Sequence, residues 1–289
     1  MACGRRNGGQ RNGRGGLAAW AVAFVFSLLF NGAAWAWGEE GHSIVAEIAQ
    51  RRLNDKAAAK VAVILGKGVS LASVSTWADD VRSARPETYN WHFVDIPLAD
   101  KHYDPARDCR PSKRGDCVVA ALARLGAILR DPSATPSQKR ESLRYIVHFV
   151  ADVHQPLHTV LEDQGGNQIP VTLYTDPRKR QKLTTNLHAA WDAGLIRAYY
   201  YSWGSYVDFL EGNWLPAHDE AALAAGSVED WVLEAHADAV RVAYVPARGP
   251  AAVTDLDDAY LQAARQVIDR ALGAGGVRLA RLLNEALGK

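Results

Sequence analysis

Apolar positions along most of the chain recur with the 3.6-residue period of helices. In SIVAEIAQRRL, Ile44, Val45, Ile48, Ala49 and Leu53 fall on one side of a helical wheel. VVAALARLGAILRD repeats the pattern and is expected to end at Asp131-Pro132, because proline cannot continue a helix. SQKRESLRYIVHFVADVHQ predicts a helix that takes Ser137 as its cap and stops before Pro156. SVEDWVLEAHADAVRVAY opens on Ser227 with two acids in its first turn, as the positive end of a helix favours. TDLDDAYLQAARQVIDRAL and VRLARLLNEAL predict two more helices that close the chain. Only IPVTLY has strand character, and it reads as part of a small hairpin. The expected fold class is therefore all-α, a mostly helical bundle with one small β excursion.

The beginning of the chain breaks this pattern. MACGRRNGGQRNGRGG holds four arginines and no acid, the apolar run LAAWAVAFVFSLLF follows, and then comes NGAAWAWGEE. A basic segment, an apolar segment and a small-x-small site are the marks of a secretory signal peptide. Ala34 and Ala36 fit the small positions, so residues 1–36 are expected to be removed, leaving Trp37 first and one domain over 37–289. The apolar run is shorter than the ~20 residues a spanning helix needs, so no membrane anchor is expected. RRNGGQ lacks the rest of a twin-arginine signal. The expected location is periplasmic or secreted.

Export changes two further readings. The 33 basic and 32 acidic residues become 29 against 32 once the four leader arginines are gone. That balance carries no broad basic footprint for duplex nucleic acid. A nucleic acid substrate would have to be held by local features, such as metal ions. Cys3 leaves with the leader, and Cys109 and Cys117 frame the loop CRPSKRGDC. Two cysteines eight apart in an exported protein point to one disulfide, and the absence of histidine from that loop weighs against a metal pair.

The candidate chemistry lies in HFVADVHQPLHT, where three of the nine histidines fall within twelve residues. His148 and Asp152 are four apart and project from one helix face. Pro156 ends that helix and lets His158 turn back toward the same face. Alone, a His-x-x-x-Asp pair more often forms a surface ion pair. NLHAAWDAGL repeats the spacing with His188 and Asp192, on a helix capped by Asn186. STWADDVRSARPETYNWHFVDIP adds Asp79, Asp80 and His92, with Arg82 and Asp95 nearby, and WGEEGHS places His42 five residues after Trp37. This set of imidazoles and carboxylates suits Zn²⁺, and it is too large for one tetrahedral ion. A multinuclear cluster is expected.

In this order the motifs WGEEGH, WADDVR, WHFVDIP, HFVADVHQPLH, GGN, NLHAAWD and GVRLARLLN resemble the zinc-dependent S1/P1 nucleases, across nearly the whole mature chain. The resemblance implies a mostly helical single domain with three zinc ions. It implies that Asp79, His92, His148 and Asp152 hold one buried zinc. Trp37, through its free α-amine and carbonyl oxygen, would hold a second with His42, and Asp152 would bridge the two. His158, His188 and Asp192 would hold a third, more exposed ion. His154 matches the motif as a structural histidine, while His102, His218 and His236 have no match.

The resemblance also implies a reaction: hydrolysis of the P–O3′ bond of single-stranded RNA and DNA to 5′-phosphorylated products, with 3′-nucleotides as further substrates. A paired-zinc site makes hydroxide available near neutral pH. Arg82 and Asp95 are the candidate catalytic residues beside the metals. Arg82 would steady charge on the phosphoryl group, as a bidentate guanidinium can, although from the residues alone it reads equally as a surface ion-pair partner. Phe93 would stack a base, with core packing its ordinary alternative, and Asp95 and Asn167 would read base edges. Stacking favours splayed single strands. A monomer is expected. The nearest alternative is a zinc phospholipase C of the same fold, against which WADDVR, WHFVDIP and GGN weigh. Another is an exported zinc-binding protein without catalysis, against which Arg82 and Asp95 weigh.

Overall fold

Amphipathic helices make up most of the computed structural model, which describes residues 1, 37–176, 178–244 and 253–288. The expected leader and its cleavage site at Ala36 lie outside the described residues. First come α1 (Glu39–Gln50), α2 (Asp55–Leu65), α3 (Trp77–Arg82) and the short α4 (Pro105–Asp108). The long helices α5 (Val118–Arg130) and α6 (Pro136–Asp152) pack along one another. Short helices follow: α7 (Asp163–Gly166), α8 (Leu187–Ala189), α9 (Leu195–Tyr199), α10 (Trp203–Phe209) and α11 (Glu220–Ala224). The chain closes with α12 (Val228–Asp238) and α13 (Asp258–Leu287).

The hairpin expected at IPVTLY is present. Strand β1 (Pro170–Tyr174) pairs antiparallel with β2 (Lys182–Asn186), in a register running from Pro170 opposite Asn186 to Tyr174 opposite Lys182. Val171 and Leu173 alternate inward, as the two-residue period of a strand requires. A third strand, β3 (Thr254–Asp255), adds parallel to β1 and is too short to show a period in the sequence.

α6 occupies the centre. It touches α1, α2, α3, α5 and α13, and every residue from Tyr145 to Asp152 is buried. Covering on all sides is what gives that stretch its apolar character on every face. Trp77 and Trp91 pack edge-on against Tyr145, and Tyr145 stacks on Phe149. Each such ring contributes roughly 1.5–3 kcal/mol by burial. That apolar investment holds the helix in place while its last two turns carry His148 and Asp152.

Four local expectations need correction. Thr135, not Ser137, caps α6: its hydroxyl accepts from Gln138 N (3.2 Å), and the Gln138 side chain accepts from Thr135 N (2.9 Å). Pro136 then takes the first helical position, where its missing N–H has no consequence. The same helix ends at Asp152, earlier than Pro156 requires. Leu53 lies beyond the end of α1 at Gln50 and packs on the core from the following turn. The two closing helices are one thirty-residue helix, α13, running through Gly273, Gly275 and Gly276. A Cβ on Gly276 would lie 2.3 Å from Ile48, and one on Gly273 2.6 Å from the Trp214 ring. These glycines allow close approach, and the packing outweighs a helix-propensity cost of about 1 kcal/mol each.

Candidate metal centre

The cluster is assembled from separate elements. The last two turns of α6 present His148 and Asp152, and the 3₁₀ turn Pro156–Thr159 swings His158 back toward them. α1 supplies His42 and α3 supplies Asp79. The 3₁₀ segment Pro86–His92 ends on His92. His188 lies in α8, whose cap Asn186 accepts from Ala189 N (2.7 Å), and Asp192 lies in the widened π-turn Ala190–Gly194 that follows. Such turns recur at functional sites because they re-aim one side chain without ending the helix.

Asp152 is fully buried, and its two oxygens face different partners. Oδ2 lies 3.1 Å from His92 Nδ1 and 3.3 Å from His148 Nε2. Oδ1 lies 3.5 Å from His42 Nε2 and 3.5 Å from His158 Nδ1. Asp79 Oδ1 lies 3.5 Å from His92 Nδ1 and 3.6 Å from His148 Nε2. Farther along, Asp192 reaches His158 Nε2 and His188 Nε2, each at 3.6 Å. Three groups have donor atoms close enough to share a cation: His42–Asp79–His148, His92–His148–Asp152 and His158–His188–Asp192. The structure thus brings together eight of the nine expected ligands. His42 shares a group with Asp79 and His148 and also lies 3.5 Å from Asp152, so the first two groups are interleaved. Trp37 is buried at the start of α1 against Gly41, and its expected α-amine depends on residue 36, outside the described residues.

The fit of these residues to metal can be tested on their hydrogen bonds. His148 Nδ1 pairs with Ser75 O (2.7 Å), His158 Nδ1 with His92 O (3.0 Å) and His188 Nδ1 with Gly165 O (2.8 Å). A carbonyl only accepts, so each of these nitrogens carries the proton and each Nε2 is left with its lone pair facing inward. His42 Nδ1 and Nε2, Asp79 Oδ1, Asp152 Oδ1 and His158 Nε2 are buried without a hydrogen-bond partner. Leaving buried polar atoms unmatched costs roughly 1–3 kcal/mol apiece, and a cation among them would remove that cost. His154 is the contrast. Its Nδ1 pairs with Val150 O (2.6 Å) and its Nε2 accepts from Arg278 (2.9 Å), which satisfies the ring as a structural residue.

The electrostatics point the same way. Burial opposes charge on Asp152, yet His148, His92 and His158 outweigh it and hold its carboxyl well below the usual range. Burial likewise opposes charge on His148, but Asp152 and Asp79 raise it to about 9. Burial drives His92 down to about 3 and lowers His42, His158 and His188. Burial pushes Asp79 up to about 6 and Asp192 up to about 7. The other four imidazoles are neutral, and the proton that Asp152 and Asp79 favour on His148 is the one a cation in this donor set would displace.

Arg82 ends α3, donates to Tyr89 O (3.0 Å), and its charge favours ionised Asp79 and Asp192. Phe93 and Asp95 line one cleft of about 240 Å³, together with Asn90, Arg110 and Leu161. Burial, and then Asp108, pushes Asp95 up to about 6. Asn167 does not line that cleft; it follows α7, and its amide donates to Gln164 O (2.8 Å). Asp80 is exposed, as are His102 and His218, while buried His236 pairs with Thr159 O (2.9 Å). The sequence reading missed Gln155, whose amide donates to Asp192 Oδ1 (2.6 Å) and aims that carboxylate. Its place inside HQPLH was the available signal. In the sequence Gly165 stands out only as the first residue of GGN. Its φ of +63° and a Leu157 oxygen 2.5 Å from any Cβ admit no side chain, and its carbonyl orients His188. Cys109 and Cys117 are joined as a disulfide.

A helical fold around a buried His/Asp cluster presents three sets of donor groups that could hold metal ions. Residues 37–288 match the S1/P1 Nuclease family, and the chain belongs to it. It is 31% identical to Endonuclease 4 of Arabidopsis thaliana, over 91% of this chain and 93% of that protein. It is 32% identical to Nuclease P1 of Penicillium citrinum, over 87% of this chain and 98% of that protein. Nuclease S1 of Aspergillus oryzae is 33% identical over 56% of this chain and 55% of its own length. The activity class is accordingly hydrolysis of phosphodiester bonds in nucleic acid. No described helix is long and apolar enough to cross a membrane.

Proposed function

We propose that the protein is an exported, three-zinc nuclease that cuts single-stranded RNA and DNA at the P–O3′ bond, leaves 5′-phosphorylated products, and also hydrolyses 3′-nucleotides. The observation that carries the metal reading is Asp152, buried with one oxygen toward His92 and His148 and the other toward His42. Asp79, His92, His148 and Asp152 would hold one ion, Trp37, His42 and Asp152 a second, and His158, His188 and Asp192 a third. When bound, such ions polarise phosphoryl oxygens and lower the pKa of water. The chain's own residues do the rest. Arg82, at the edge of the cluster, steadies charge on the phosphoryl oxygens. Phe93 offers a ring face to a base, and Asp95 accepts from its edge. Only an unpaired base can reach that face, which favours single strands. The family match starts at Trp37, which supports cleavage after Ala36 and a free amine there.

The test is metal analysis combined with turnover on single-stranded RNA, single-stranded DNA, duplex DNA and a 3′-mononucleotide. The expected result is close to three zinc ions, faster cleavage of single strands than of duplex, and loss of all activities on chelation. Undiminished turnover after complete metal removal would sink the proposal.

A further inference from the structure

The Tyr89 ring is sandwiched between two arginines. The guanidinium carbon of Arg82 lies 3.8 Å from the ring centroid and that of Arg114 lies 3.6 Å from it. Two guanidinium groups this close to one centroid would overlap on one face, so they occupy opposite faces. Tyr89 also meets Phe93 edge-on at 6.3 Å. Arg114 belongs to the loop closed by Cys109 and Cys117. That loop is docked on the segment that carries Tyr89, His92 and Phe93. Asn90 N donates to Arg114 O (2.8 Å), Val118 N donates to Phe93 O (3.1 Å), and a Cβ on Gly115 would lie 2.7 Å from the Trp91 ring.

The charges in this loop are unevenly matched. Neighbouring Arg107 is paired with Asp108, and Arg124 with Asp116. Arg110, Lys113 and Arg114 are exposed and engage no carboxylate among the described residues. Two cations held on either side of one ring repel each other, although each gains roughly 0.5–1 kcal/mol from the ring face. A polyanion that contacts both removes the repulsion. Their separation, two stacking distances, is of the order of the spacing between neighbouring phosphates in a strand.

We propose that Arg114 is a second phosphate-binding residue, which takes the phosphodiester next to the scissile one on the side of the stacked base, with Tyr89 as the spacer that sets its distance from Arg82. The disulfide fixes the loop that presents it. This subsite rests on the nuclease reading for its ligand, an internucleotide phosphate. It serves strands and not 3′-mononucleotides, since the latter have no second phosphate to offer.

The test measures binding of a non-cleavable phosphorothioate hexanucleotide, and of a phosphorothioate dinucleoside monophosphate that holds only the scissile group, across a range of salt concentrations. Binding to single strands weakens with log salt at about 0.7 per phosphate contact. Arg114→Ala should therefore flatten the hexanucleotide slope by about 0.7 and leave the dinucleoside slope unchanged, while Arg114→Lys keeps the wild-type slope on both. Arg130→Ala, at the far end of α5, should change neither. An unchanged hexanucleotide slope in Arg114→Ala would overturn the subsite. So would an equal loss on both ligands, which would mean that Arg114 acts only by supporting Tyr89 and Arg82. A wild-type protein that binds with the expected slopes but cleaves neither unmodified strand would refute the proposed reaction and leave the subsite standing.

Discussion

Replacing Asp152 with asparagine removes one charge from the point where the imidazole sets meet and barely changes the volume. The carboxylate oxygens lie 3.1–3.5 Å from four histidine nitrogens, so a cation held by those nitrogens sits within a few ångström of the carboxylate. Two unit charges about 4 Å apart at an effective dielectric of 20 attract by about 4 kcal/mol. Losing that attraction weakens binding on the order of a thousandfold, at about 1.4 kcal/mol per factor of ten. In wild type, an ion supplied at a thousand times its Kd stabilises the fold by about 4 kcal/mol. Under the same conditions the variant gains only a few tenths. For a domain of this size, 1 kcal/mol moves Tm by roughly 2–4 °C. The informative assay is the drop in Tm on adding chelator, measured within each variant, beside zinc content by mass spectrometry. Wild type should lose roughly 10 °C per ion removed, and Asp152→Asn only a degree or two for the ions it no longer holds. Comparing within a variant separates metal linkage from the buried Asp152–His148 pair, whose loss shifts both metal-free and metal-loaded forms. Asp95→Asn, away from the cluster, should keep full zinc and the full chelator response. An Asp152→Asn protein with wild-type zinc and a wild-type chelator response would refute the bridging assignment.

Three further outcomes follow from the same geometry. A protein starting at Trp37 should carry one more zinc than the same protein with Met-Ala added before it, because an amide nitrogen has no lone pair to give; equal zinc in both would remove Trp37 from the ligand set. Unreduced protein should show Cys109 linked to Cys117 by mass spectrometry, and the double alanine variant should lose about 2–3 kcal/mol in denaturant unfolding, the value for closing so short a loop; unchanged stability would count against it. Of the two raised carboxylates, Asp192 of the His158–His188–Asp192 site should yield its metal to acid before Asp79. Burial lifts Asp192 to about 7, so protons compete for it as soon as pH falls below neutrality, whereas Asp79 resists until about 6. Dialysis from pH 7.5 to 6 should release one zinc from wild type and none from His188→Ala, and equal release from both would refute the order.

The parts of the site legible in the sequence were those fixed by local spacing. His148 and Asp152, and His188 with Asp192, share a face because they are four apart, and no tertiary information is needed to place them together. Convergence of α1, α3 and the Pro86–His92 segment on that face rests on packing around α6, which no local pattern encodes; only the ordered motifs of a family carried it. The carbonyls of Ser75, His92 and Gly165 that fix the ring tautomers belong to the backbone and leave no mark in the residue types. The fold shows the same division. Ser227 and Asn186 were readable as caps, while Pro136 moved the α6 cap back to Thr135. The glycines of α13 signal a break by propensity, yet they are where Ile48 and Trp214 press closest.

α1 and α13 lie along one another, so the first and last helices of the described fold are each other's main partners. His42 rides on α1, and Gly275 and Gly276 of α13 back that helix and His154. During synthesis, then, the residues that will carry the cluster emerge long before the surface against which they are held. Without α13 the bundle lacks the surface against which α1 and His42 are held, and contacts of such long sequence separation form slowly. A chain truncated before Asp258 is expected to leave α1, and with it His42, without that support.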